Sequence, residues 1–361
     1  MKLTRPKESP TMRPVLAASA VAVAAVAAAA AGIVAGSGNA APVPRIDRGP
    51  YPPKAAKFKQ PKLRHGVLMI TGTRAADKIA LRLQAGQPGT LQVDVGDDGS
   101  PDFSFDRGKI ARIAVNARSG DDRVRIDESN GAFTDSIPTT IDGGNGNDTI
   151  AGGNGIETLL GGDGNDTIDG NGGNDLALMG AGNDTFVWDP GDGSDTVEGQ
   201  AGADTMRFNG ANASEQVDLS ANGDRLKFFR TQGSITMDTA GVERVDFNAL
   251  GGADLVTVND LTGTDVTSLN VDLAGALGGT TGDGQSDRVV VNGTNGEDSI
   301  NVNGDTGGVK VSGLAPTVKI LHSEAANDRL EIHTLDGRDS VDSGGLAAGA
   351  IHLFVDNVLV P

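Results

Sequence analysis

From residue 150 an apolar side chain recurs every nine residues, as Ile150, Leu159, Ile168, Ala177 and Phe186. The spacing then slips by two near Trp188, Asp189 and Pro190 and resumes with Val197 and Met206. The position before each apolar one is Thr149, Thr158, Thr167, Leu176, Thr185, Thr196 and Thr205. Strand side chains alternate between faces, so this pairing predicts very short strands with the apolar residue inward and a β-favouring threonine row outward.

The residues between these strands are turn-formers. Residues 143–169 read GGNGNDTIAGGNGIETLLGGDGNDTID, three copies of G-G-x-G-x-D-x-U-x with U apolar. Copies begin at 143, 152, 161, 170 and 179, which puts Asp148, Glu157, Asp166, Asp175 and Asp184 in the sixth slot, followed past the slip by Asp195 and Asp204. Glycines in the first, second and fourth slots are expected to take positive φ and turn the chain tightly. Departures fall at Glu157, longer than Asp, at Asn171 and Met179 where glycine is expected, and at Ala177, which underfills the core.

A looser phrase flanks the array. ARIAVNARSGDDRVRID (111–127) aligns without gaps to ERVDFNALGGADLVTVN (243–259), and SDRVVVNGTNGEDSI (286–300) to NDRLEIHTLDGRDSV (327–341). ADKIALRL (76–83) looks like a further fragment. Both flanks are therefore expected to be degenerate rungs of the same solenoid, against the alternative of a separate antiparallel sandwich.

Composition narrows the picture. With 3% aromatics and 53 glycines in 361 residues, a thin core of Val, Ile and Leu is expected. The net charge of −18 hides an asymmetry, because from residue 67 onward 46 acids face 19 Lys and Arg. Such a body repels nucleic acid and anionic lipid, so no nucleic-acid partner is expected. Between Asp127 and Met206 there are sixteen acids and no Lys or Arg. Without cysteine there are no disulfides and no thiolate metal sites.

Repeated at constant spacing, the nonapeptide resembles the repeats-in-toxin (RTX) family of calcium-binding β-rolls, over residues 141–207. The resemblance implies an all-β fold, a parallel β-roll or β-helix solenoid with two nonapeptides per turn. Acids eighteen apart would then stack, Asp148, Asp166 and Asp184 on one edge and Glu157 and Asp175 on the other. It further implies several Ca2+ ions held between turns, with ligands at Gly143, Asn145, Asp148, Gly161, Asp163, Asp166 and Asp184. On the weaker edge they would be Gly152, Asn154, Glu157, Gly170 and Asp175, and past the slip Asp195 and Asp204. Carboxylates one strand spacing (about 4.8 Å) apart repel by roughly 1 kcal/mol in water and about 3–4 at an effective dielectric near 20. Calcium, which takes 6 to 8 oxygen ligands in a flexible shell, offsets that repulsion.

At the amino terminus Lys2, Arg5, Lys7 and Arg13 precede an apolar run from Val15 to Val34 and the small residues Gly38 and Ala40. This predicts an export signal over 1–40 cleaved after Ala40, the rival being an uncleaved anchor. A basic, Pro-rich linker follows over 41–64. Degenerate rungs are expected over 65–140 and 208–361, with no membrane span after cleavage.

Catalytic signatures are thin. There is no H-E-x-x-H and no G-x-S-x-G. His322 and His333 fall in slots that aligned copies fill with Asn or Asp, and His65 and His352 have no partner spacing. The expectation is a secreted or cell-surface, non-enzymatic protein that folds on binding external Ca2+, with a cell-surface polysaccharide or protein as a further partner. The alternatives are an adhesin or matrix protein that calcium only stiffens and, behind it, an enzyme accessory or hydrolase.

Overall fold

The computed structural model describes residues 57–360. The chain winds between two sheets, one of 15 and one of 14 strands, whose inner faces enclose a thin core. Neighbouring rungs pair in parallel: Glu157–Asp163 lies between Thr139–Asn145 and Leu176–Ala181, and Thr167–Asp169 between Thr149–Ala151 and Thr185–Trp188. One nonapeptide therefore supplies a strand to each sheet, and Thr149, Thr167, Thr185 and Thr205 stand in register on one face.

Inward side chains are those of the apolar slot. Ile150, Leu159, Ile168, Ala177, Phe186, Val197 and Met206 are all buried. Met179, two residues beyond the small Ala177 on the same strand, is fully buried too. The two-residue slip lengthens the step to 20 residues, pairing Asp175 with Asp195 and Asp184 with Asp204. It also sets Trp188 inward, where its ring stacks on Phe208 at 3.9 Å and its Nε1–H donates to the Gly193 carbonyl at 2.9 Å. Phe228 and Phe247 complete this aromatic block. Phe208→Ala is expected to cost about 3–5 kcal/mol, read by denaturation in saturating calcium with Trp188 fluorescence as the signal.

Both flanks are rungs continuous with the array, and aligned phrases pair as neighbours: Arg288–Asn292 runs parallel to Arg329–His333 with Asn292 opposite His333. In the other aligned pair, Arg112–Ser119 lies in one sheet and Arg244–Asn248 in the other, so one phrase serves either half-turn. Unexpected among the described residues are antiparallel excursions. Gln87–Val95 and Phe103–Asp106 extend one sheet beyond Lys78–Gln84. Gln216–Asn222, Arg225–Arg230 and Ile235–Ala240 form a meander in the first sheet, and Ser299–Asp305, Gly308–Ser312 and Thr317–Leu321 one in the second. Each meander adds two strands to its own sheet, so the second restores the level that the first offsets.

The stretch expected as linker ends differently. Lys62–Arg64 is a strand that pairs antiparallel with Val67–Thr71 and covers the outer edge of the first sheet. The expected export signal and the rest of the linker lie outside the described residues. Among the described residues no helix is long and apolar enough to cross a membrane.

Candidate metal centre

Each sixth-slot acid sits where a turn ends and the next strand begins, and the winding stacks these acids into two ladders. On the first edge Asp77, Asp122, Asp148, Asp166, Asp184 and Asp204 follow one another, each backbone N–H donating to Oδ1 of the next acid at 2.7–2.8 Å. On the second edge Glu157 donates to Asp175 at 2.7 Å and Asp175 to Asp195 at 2.8 Å. Of the expected ligands, Gly143, Asn145, Asp148, Gly161, Asp163, Asp166, Asp184 and Asp204 lie along the first edge, and Gly152, Asn154, Glu157, Gly170, Asp175 and Asp195 along the second. Asn145 and Asp163 are tied to each other by a 2.8 Å hydrogen bond.

One oxygen of each ladder carboxylate is thus satisfied by a backbone N–H. The other is not: Oδ2 of Asp148, Asp166, Asp175, Asp184, Asp195 and Asp204 is buried without a partner. A buried acceptor left unmade costs about 1–3 kcal/mol and more if charged. Repetition over six neighbouring turns marks a common missing ligand. Desolvation raises these carboxyls despite the stabilising N–H: Asp204 to about 6, Asp166 and Asp195 to about 7 and Asp175 to about 9. Asp148 and Asp184 move in the same direction for the same reason.

The glycines divide the work differently from the expectation. Positive φ occurs at the second and fourth slots, as at Gly162 (φ 118°) and Gly164 (φ 132°), and not at the first. The first slot is small for another reason. A Cβ on Gly161 would stand 2.4 Å from Asp166 Oδ2 and 2.2 Å from the Met179 carbonyl oxygen, and one on Gly143 would stand 2.4 Å from Asp148 Oδ2 and 2.8 Å from the Gly161 carbonyl oxygen. Gly143 and Gly161 therefore keep open a cradle between an unpartnered carboxylate oxygen and a carbonyl of the next turn.

The Glu157 turn departs from this pattern, because Gly153 lacks positive φ and its N–H donates to Glu157 Oε2 at 2.8 Å. Its glutamate turns Oε2 back on its own loop and keeps Oε1 buried without a partner. Sequence reasoning had no means to see this, since GGNGIE satisfies the glycine pattern in full. Asn171, by contrast, takes φ 56° and does what the expected glycine would do.

The donors fit calcium. They are all oxygen, one carboxylate per turn with backbone carbonyls beside it, and no group of three or more His, Asp or Glu converges on a single point among the described residues. Hard, flexible oxygen shells suit Ca2+, whereas zinc prefers nitrogen and sulfur in a tetrahedron. His322 and His333 instead bond Asp272 at 2.6 Å and Asn292 at 3.1 Å at strand ends.

The RTX calcium-binding nonapeptide repeat family matches the chain in four copies, at residues 140–156, 151–186 and 191–212. No curated protein matches the chain. Such repeats bind Ca2+, and residues 140–212 are accordingly a calcium-binding β-roll.

Proposed function

We propose that this calcium-binding β-roll protein is exported and completes its folding when it meets external Ca2+, serving as a structural or interaction module at the cell surface. The observation that carries this reading is the file of buried, unpartnered carboxylate oxygens in a span without Lys or Arg. Asp148, Asp166, Asp184 and Asp204 on the first edge, with Asp175 and Asp195 on the second, would hold the ions together with first-slot carbonyls. The bound ion supplies the positive charge that lets these carboxylates stay ionised where desolvation disfavours them.

Extracellular calcium modules bind with dissociation constants near 10⁻⁴–10⁻³ M, so such sites fill outside a cell and stay empty in a cytosol. Binding to the folded form alone stabilises it by about 1.4 kcal/mol per site at tenfold excess over Kd. The expected export signal fits a protein that meets its ion only after leaving the cell.

Calcium titrated into the chelated full chain is expected to raise the β signal in circular dichroism, the melting temperature and the burial of Trp188. A flat response up to about 10 mM, ten times the weak end of that range, overturns the reading. Asp166→Ala is expected to need several-fold more calcium than the parent to reach the same signal, because it removes both an ion ligand and the acceptor of the Asp148 N–H.

A further inference from the structure

The contrast between open and closed turns extends beyond the nonapeptide array. In the array the second-slot residue, four before the acid, decides the state of the turn. Where it takes positive φ, the acid's Oδ2 is left unpartnered: Gly144, Gly162, Asn171, Gly180, Gly191 and Gln200 precede Asp148, Asp166, Asp175, Asp184, Asp195 and Asp204. At Gly153 in the array, and at Thr73, Thr294 and Glu324 outside it, φ is not positive and the residue's own N–H closes on the acid: Thr73 donates to Asp77 at 2.5 Å, Gly153 to Glu157 at 2.8 Å, Thr294 to Asp298 at 2.7 Å and Glu324 to Asp328 at 2.6 Å.

Two turns outside the matched residues are of the open kind. Arg118 (φ 86°) precedes Asp122 in ARSGDD, and Leu250 (φ 66°) precedes Asp254 in ALGGAD. Both are side-chain-bearing residues in a region that favours glycine. Asp122 is 2% and Asp254 3% exposed, and Oδ2 of each is buried without a partner. Their Oδ1 atoms take the usual ladder bonds, from the Asp77 and Glu215 N–H groups, both at 2.7 Å.

The first slots of these two turns hold Ala117 and Ala249 in place of glycine, as Met179 does ahead of Asp184, and their carbonyl oxygens face the turns of Asp77 and Glu215, 2.3 Å and 2.8 Å from where a Cβ on Gly72 and on Gly210 would stand. Among the described residues no Lys or Arg pairs with either acid, whereas Glu215, next to Asp254 in its ladder, is already paired with Arg230.

We propose that the turns ending at Asp122 and Asp254 are two further calcium sites, one on each edge of the solenoid and outside the nonapeptide array. The proposal rests on the array itself taking calcium. It makes a positive φ at the second slot together with a buried, unpartnered acid oxygen, rather than the glycine phrase, the feature that assigns a rung to calcium, a pair of conditions of which Leu335 (φ 63°) ahead of the half-buried Asp339 meets only the first, and it carries the ion-bound region into both flanks.

The test is the number of ions bound per full chain, by equilibrium dialysis and metal analysis at saturating calcium, with circular dichroism on the same samples. Asp122→Asn and Asp254→Asn are each expected to lower the count by about one ion, given one carboxylate per turn. Asp328→Asn, in a closed turn, is expected to keep the parental count even if it melts earlier. Parental counts in both Asp122→Asn and Asp254→Asn overturn the proposal while leaving the array reading intact, and a parent that binds no calcium overturns the array reading itself. Should either variant fail to fold, anomalous scattering from parent crystals grown in calcium decides. A peak about 2.3–2.6 Å from Oδ2 of Asp122 and of Asp254 is the expected result, and bare density at both overturns the proposal.

Discussion

Stripped of calcium at low ionic strength, the protein is expected to gain β structure as pH is lowered from about 9 to about 5, the reverse of ordinary acid unfolding. The ladder carboxyls have folded-state values above their unfolded ones, chiefly through desolvation: about 6 for Asp204, about 7 for Asp122, Asp166 and Asp195, about 8 for Asp254 and about 9 for Asp175. A carboxyl raised in this way contributes stability that is fully present below its unfolded value near 4 and is lost as pH rises through the folded one. The metal-free roll therefore loosens across roughly pH 6 to 9, where its buried acids are forced to ionise without a counter-ion.

Calcium reverses the sign. An ion can be held only by ionised carboxylates, so with metal present stability is expected to be greatest above neutrality and to fall on acidification as protons displace the ion. Melting curves at about pH 5 and about pH 8, each with chelator and with saturating calcium, give four values whose ordering is the result. A chelated sample that is as stable at pH 8 as at pH 5 overturns the role assigned to the buried oxygens.

Gly162→Ala is expected to be among the most damaging small substitutions in the array. Its Cβ would stand 1.9 Å from the Gly144 carbonyl oxygen, a backbone atom of the neighbouring turn, at φ 118°. Relief requires the two turns to part, which breaks the parallel pairing of Glu157–Asp163 with Thr139–Asn145 and opens the Asp148 and Asp166 cradles together. The expected loss exceeds about 4 kcal/mol in saturating calcium, with a calcium midpoint shifted upward by tenfold or more.

Gly191→Ala separates crowding from backbone strain. Gly191 has a similar φ of 122°, but a Cβ there meets nothing within 4 Å. Only the conformational cost remains, about 1–2 kcal/mol. Equal losses in the two variants, read by melting in calcium, would remove close turn stacking as the reason for glycine at position 162.

Much of this architecture is written in the residue order because each nonapeptide is self-sufficient in pattern. Ile150, Leu159 and Ile168 announce the inward face, and the eighteen-residue step from Asp148 to Asp166 announces a ladder. The gap-free alignment of 286–300 with 327–341 even carries the pairing of Asn292 with His333. The antiparallel meanders escaped notice because a strand that folds back shows the same alternation as one that continues around the solenoid. Direction is a property of pairing, and pairing is not local.

Residue identity alone determined that residues 141–206 form short strands joined by acidic, glycine-rich turns with no Lys or Arg among them, and hence that calcium is the ion to expect there. Tertiary structure decided which acids stand open to an ion. Gly153 at a compliant second slot closes on Glu157, while Leu250, an unpromising residue, is held at positive φ and leaves Asp254 open. That choice depends on the sign of one backbone angle and on the burial of the acid that follows, and glycine or leucine at that slot does not announce either.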